Sequence, residues 1–164
     1  LCLPAGPLRE PRSRLRQADF VLVNGESPRR FHPSQLVMPM ETGNLVPMEP
    51  TRHHRGLPSH CKVNAMAAIG NPSRFFATLE GLGYAVVPQV FPDHHLYREE
   101  EVSFPNGLPV VMTEKDAIKC DKFESLDQHW YLPVNARLPS EFWVAFARAI
   151  KNVTQKTAER KAQP

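Results

Sequence analysis

The sequence predicts an α/β fold: a three-layer α/β/α domain built on a mostly parallel sheet, preceded by a β-hairpin connector. Three observations predict it. An apolar run, a helical pattern and a second apolar run follow one another between residues 63 and 90, which makes a βαβ unit and so parallel strands. A further apolar run, Val110-Val111-Met112, leads straight into a capped helix. Two of these strands end in titratable clusters, Asp93-His94-His95 and Thr113-Glu114-Lys115-Asp116. Open α/β sheets carry their chemistry at that carboxyl edge.

The elements follow in chain order. Leu3-Pro4-Ala5-Gly6-Pro7-Leu8-Arg9-Glu10-Pro11 is turn-rich and holds Arg9 and Glu10 between prolines. Arg12, Arg14 and Arg16 alternate along the next stretch. Their planar forks suit phosphate or carboxylate, but a solvated helix face explains them more simply. Phe20-Val21-Leu22-Val23-Asn24-Gly25 predicts a buried strand closed by a turn. Residues 36–48 predict a hairpin whose strands each contain a proline, Pro39 and Pro47, and therefore lie at edges, as in a connector between domains. Arg52-His53-His54-Arg55 and the later His60-Cys61 have no standard zinc spacing, and Gly56 and Pro58 make the segment a loop.

Residues 63–69 read as a buried strand. Gly70-Asn71-Pro72 turns the chain, and a helix over 73–82 places Phe75, Phe76, Leu79 and Leu82 near one face. Gly81 or Gly83 ends it. The strand at 84–90 stops where Pro92 removes a backbone donor. Arg98-Glu99-Glu100-Glu101 reads as a solvated charged stretch. A buried strand at 108–112 is followed by Thr113 as N-cap of a short helix. Residues 129–134 form another strand. Ser140 then caps a long helix carrying Phe142, Phe146, Ile150 and Val153 at helical spacing, with a polar continuation from Thr154 that should fray.

The totals bound the function. The chain has 164 residues and 17 prolines, about twice the usual share, so its elements are short and its connections stiff. A net charge of +3 is compatible with anionic ligands or a membrane surface and is too mild to imply nucleic acid. Cys2, Cys61 and Cys120 are far apart and without CxxC spacing, so neither a disulfide framework nor a zinc site is indicated, and a reducing compartment is expected. No apolar run reaches the roughly 18–20 residues that span a bilayer. The start at Leu1, without Met or signal pattern, reads like the interior of a longer protein.

Asp93-His94-His95 admits two readings. Asp93 can orient His94, and His94 can move a proton or hold a phosphate; or the segment is a polar loop with exposed histidines. With Glu114 and Lys115 at the same edge, the residue types suit phosphoryl transfer, while helix-start capping accounts for 114–116 equally well. No glycine is followed by lysine, and no two aspartates are adjacent. Neither a phosphate-cradling loop nor a paired-aspartate magnesium site is therefore visible in these residues.

Six blocks in order carry a resemblance: residues 3–11; Asp19-Phe20-Val21-Leu22-Val23-Asn24-Gly25; Ala68-Ile69-Gly70-Asn71-Pro72-Ser73-Arg74-Phe75-Phe76; Phe91-Pro92-Asp93-His94-His95; Met112-Thr113-Glu114-Lys115-Asp116-Ala117-Ile118-Lys119-Cys120; and Trp130-Tyr131-Leu132-Pro133-Val134. The chain closely resembles the C-terminal half of the tetraacyldisaccharide 4'-kinase family. The resemblance implies a P-loop α/β/α core joined to a smaller α/β domain by a two-stranded connector. It implies transfer of the ATP γ-phosphate to the 4'-hydroxyl of a lipid A disaccharide precursor, giving lipid IVA. ATP and Mg2+ are implied, held mainly by a half that lies before this chain, as is a peripheral location at the cytoplasmic face of the bacterial inner membrane. His94 is the implied catalytic residue with Asp93 beside it. Arg9, Glu10, His95, Glu114 and Lys115 are expected to face substrate or cleft. The expected segments are 1–26, the end of the kinase core; 27–62, connector and loop; 63–139, the α/β domain; and 140–164, helix and tail. The isolated chain is expected to be inactive. Ala67-Ala68-Ile69-Gly70 and Asn64 depart mildly from the family pattern, and residues 52–60 match nothing in it. The alternatives are a metal-dependent phosphoesterase of the Asp-His-His type, which needs more ligands than the five aspartates here supply, and a non-catalytic remnant that binds lipid or a partner chain.

Overall fold

The computed structural model describes residues 3, 5, 6, 8–25, 30, 32–49 and 56–162, with side chains through residue 155. The Arg52-His53-His54-Arg55 segment and Cys2 lie outside them. The chain folds as two units, Leu1–Glu41 with Asn135–Pro164, and Thr42–Val134. The first unit is discontinuous, so the consecutive segments drawn from the sequence do not map onto it one to one.

In the first unit a 3-10 helix, Arg12–Gln17, carries the alternating arginines. Strands β1 (Val21–Asn24) and β2 (Gln35–Met38) pair in parallel, Val21 opposite Gln35. β1 was expected to be buried throughout; its residues instead alternate between half-buried and exposed, because a two-stranded sheet covers only one face. The long helix α4 (Ser140–Ala162) follows the predicted spacing and continues helical through the stretch expected to fray. Phe142 packs edge-on against Phe20 at 5.3 Å and stacks on Phe146 at 5.4 Å, an arrangement worth more than area alone.

Residues 36–48 do not form the expected hairpin. β2 pairs with β1, β3 (Met40–Thr42) with β9 (Val134–Ala136), and β4 (Val46–Pro47) with β8 (His129–Leu132). Pro39 and Pro47 did signal edges; what local pattern could not supply was the partner of each strand. The boundaries of the two units fall within β3 and β9.

The second unit is a five-stranded sheet in the order β4-β8-β7-β5-β6, with β5 at Lys62–Ala67, β6 at Ala85–Val90 and β7 at Val110–Thr113. All neighbours are parallel except β4, an antiparallel edge of two residues. Side chains along β5 alternate between two cores. Val63, Ala65 and Ala67 face Phe75 and Leu79 of helix α1 (Pro72–Gly81). Met66 and Ala68 face Val102 of α2 (Glu99–Val102) and Ala117 and Cys120 of α3 (Glu114–Cys120). Helices on both faces make the three layers that the sequence predicted. Gly83 ends α1: its φ of +91° is costly for any residue with a Cβ. The stretch expected to be merely solvated forms α2 instead. Glu99 accepts hydrogen bonds from the amides of Glu124 and Ser125, so its charge caps a loop.

The order of strands fixes a crevice. β5 connects through α1 to β6 on one side, whereas β7 connects through α3 to β8 on the other, and the two helices lie on opposite faces. The sheet's switch point therefore falls between β5 and β7, at their carboxyl ends.

Candidate functional site

Three strand ends meet at that point. The amide of Phe91 donates to the Ala67 carbonyl at 3.0 Å, the last rung between β6 and β5, since Pro92 has no N–H to offer. The His95 amide donates to the Pro92 carbonyl at 3.0 Å and closes a turn over Asp93 and His94. Within it His94 takes φ +62°, a left-handed conformation uncommon for a residue with a side chain. Asp93 imposes it in part: its Oδ1 accepts the His94 amide at 3.0 Å. The outcome is an imidazole that is 77% exposed, its Nε2 3.6 Å from Asp93 Oδ2. That distance is an ion pair when the ring is protonated, not a hydrogen bond.

Lys115 arrives from the end of β7, its Nζ 3.7 Å from Asp93 Oδ1. Asp93 thus stands between a histidine and a lysine, one oxygen toward each. Beneath them is Gly70, where an added Cβ would sit 3.9 Å from Asp93 Oδ2.

The edge is held by Asp116, which is fully buried. Its Oδ2 accepts the Ala68 amide at 3.0 Å and the Thr113 hydroxyl at 2.7 Å, and its Oδ1 accepts Lys119 Nζ at 2.7 Å. The Asp116 amide donates back to Thr113 Oγ1 at 3.2 Å, so Thr113 is the N-cap. One carboxylate therefore ties the end of β5 to the start of α3. Sequence reasoning left Asp116 equally between a phosphoryl-transfer cluster and a helix-start cap; the Thr-x-x-Asp spacing signals the cap, but the Ala68 partner is 48 residues away. Lys119 also lies over the Tyr97 ring at 5.3 Å. Burial, followed by the Asp116 charge, pushes the Tyr97 phenol well above its ordinary range, and burial pushes the Cys120 thiol up to about 12.

His95 does not join His94. It stacks on Phe91 at 5.1 Å, meets Tyr97 edge-on at 5.1 Å, and its Nε2 donates to Glu101 Oε2 at 3.2 Å. Expected to face the cleft, it is turned inward because its ring covers Phe91. The Arg98 amide, then the Arg98 guanidinium and His95, hold the Glu101 carboxyl down at about 2. Glu114 opens α3 and lines a groove of about 430 Å3 with Val46, Met48, Ile118 and Tyr131. Arg9 and Glu10 belong to the first unit, where both are exposed. The structure thus brings Asp93, His94 and Lys115 together and places His95 and Glu114 in separate surroundings. Among the described residues no group of three His, Cys, Asp or Glu could hold a metal ion.

A family model described as tetraacyldisaccharide-1-P 4'-kinase matches residues 1–151. A tetraacyldisaccharide 4'-kinase of Alkalilimnicola ehrlichii is 49% identical over 138 residues, covering 84% of this chain and 40% of the relative. One from Pseudomonas aeruginosa is 45% identical over 152 residues, covering 88% and 43%. The chain therefore spans about two-fifths of the length of the curated relatives it matches. Among solved structures, LpxK of Aquifex aeolicus, crystallised with ATP, aligns with a TM-score of 0.57 and 23% identity over 88% of this chain and 46% of that one. That likeness establishes the fold.

Proposed function

The chain belongs to the tetraacyldisaccharide-1-P 4'-kinase family, and from that premise we propose that it supplies the acceptor side of a lipid kinase site. The observation that carries this reading is the exposed imidazole of His94, held on a left-handed backbone at the carboxyl edge of the sheet. In the proposed reaction His94 Nε2 takes the proton from the 4'-hydroxyl of a tetraacylated disaccharide 1-phosphate. The freed oxygen forms its bond to the γ-phosphorus of ATP as the bond to the bridging oxygen breaks, and ADP leaves. Asp93 stabilises the imidazolium that results. In this reading His94 and Asp93 carry this chain's share of the chemistry. In this reading the protein works at the cytoplasmic face of the inner membrane, with acyl chains remaining in the bilayer. No helix among the described residues is long and apolar enough to cross it.

The test is a chimera in which this chain replaces the matched region of the Alkalilimnicola ehrlichii relative. The chimera is expected to transfer radiolabelled γ-phosphate to the disaccharide precursor. Its His94→Ala variant should lose about 100-fold or more in turnover at unchanged folding, the usual contribution of a general base. A folded chimera without transfer, or a His94→Ala variant with near-normal turnover, overturns the assignment. The 164-residue chain alone is expected to show no transfer.

A further inference from the structure

We propose that Lys115 is an anion-binding residue of this site, taking a phosphomonoester, with Asp93 as its counter-ion when the site is free. The inference rests on the kinase reading for the source of the phosphate, but not for the site itself. Three observations carry it.

The first is placement. β6 and β7 are not neighbours; β5 lies between them, so the ends of β6 and β7 are two strand spacings apart, roughly 10 Å. The Asp93 and Lys115 side chains span that gap and meet above the end of β5. Ligands of open α/β sheets occupy this position at a switch point.

The second is the contrast between the two lysines of α3. Lys119 is committed inward, 16% exposed and 2.7 Å from a buried carboxylate. Lys115 is 49% exposed, and its partner, itself 47% exposed, stands at 3.7 Å. A pair so open and so long is weak and exchanges readily. A phosphomonoester with up to two negative charges and three acceptor oxygens is the stronger partner for the same ammonium.

The third is company. The His94 ring lies on the other oxygen of Asp93, its Nε2 3.6 Å from Oδ2, so an imidazole and an ammonium converge where an anion would displace one carboxylate. The opposing charges are Asp93 itself and Glu114, which lines the neighbouring groove. The Asp116 charge is consumed by Lys119. Asp93 therefore both holds Lys115 in place and competes with the ligand.

That dual role gives a test with opposite signs. The 164-residue chain is titrated with inorganic phosphate, a glucosamine 4-phosphate and a glucosamine 1-phosphate, and binding is followed by amide NMR shifts. Shifts are expected to concentrate at Gly70, His94 and Lys115. Lys115→Met should weaken binding roughly fivefold, the effect of one charge near a surface, and Asp93→Asn should tighten it by a similar factor. Lys115→Arg should retain it. Both sites are solvent-accessible, so the variants should keep the wild-type melting temperature, which is measured alongside. Equal affinity in Lys115→Met, weaker binding in Asp93→Asn, or shifts scattered over the surface overturns the proposal. Preference for the 4-phosphate assigns the site to the group being transferred, and preference for the 1-phosphate assigns it to the phosphate already on the acceptor. Equal affinity for the two sugars supports a general phosphomonoester site. An inactive chimera would defeat the kinase reading and leave these binding results standing.

Discussion

Replacing Asp116 with asparagine removes one charge without changing shape, and the local geometry sets the cost. Oδ2 receives two donors, the Ala68 amide and the Thr113 hydroxyl, and Oδ1 receives Lys119. An asparagine has one acceptor oxygen. If it keeps the Ala68 and Thr113 bonds, its NH2 faces the ammonium of Lys119. If it keeps Lys119, its NH2 faces a backbone amide that is fully buried. The second arrangement strands a buried donor, costing about 1–3 kcal/mol, so the first is expected. It leaves an ammonium without its charge partner. Breaking a buried pair costs about 3–5 kcal/mol when the orphan cannot reach water, and Lys119, 16% exposed, can partly do so. The expected loss is therefore near the lower bound, about 3 kcal/mol. At roughly 2–4 °C per kcal/mol for a chain of this size, the melting temperature should fall by about 6–12 °C. Urea and thermal unfolding of the chain measure it. The double variant Asp116→Asn with Lys119→Met should recover at least about 1 kcal/mol, because the methionine leaves nothing to repel. A single variant within about 0.5 kcal/mol of wild type, or a double variant no better than the single, would refute the claim that this pair ties β5 to α3.

Two further outcomes are expected. His129 is buried, its Nε2 hydrogen-bonded to the Val102 carbonyl at 3.0 Å, and burial lowers its pKa from the ordinary 6.5. Below that value the unfolded chain binds a proton that the folded one resists, so stability should fall as pH drops through 6.5. Urea midpoints at about pH 7.5 and about pH 5.5 should show the fall in the wild type, and a His129→Gln variant should show less of it. Gly83→Ala should destabilise by about 1 kcal/mol or more, since the residue has φ +91° and the new Cβ would stand 2.8 Å from the His60 ring. Unfolding midpoints no lower than wild type would refute that strain.

The candidate site was legible in unequal parts. Asp93, His94 and Lys115 could be singled out because polar groups directly after apolar runs mark strand ends, and strand ends mark the working edge of a parallel sheet. The two histidines could not be told apart. They are adjacent in sequence, but His94 takes a left-handed backbone and points out, while His95 stacks on Phe91 and reaches Glu101. Glu101 itself looked like one more solvated charge in a run of three. Its place in the loop depends on an aromatic cluster formed by Phe91, His95 and Tyr97, which becomes visible only after folding.

The sequence by itself determined the βαβ order, the three layers, the cap at Thr113 and the phasing of α1 and α4, because each depends on spacing within a short window and on side chains reading the same backbone period. Only the tertiary structure decided which strands pair. Residues 36–48 supply three strands to three separate sheets, and no local pattern encodes a partner in another part of the chain. It alone decided that Asp116 anchors the edge and that Lys115 remains available there. Both depend on β5 being threaded between β6 and β7, a crossover that brings residues 68, 93 and 115 together although the chain keeps them far apart.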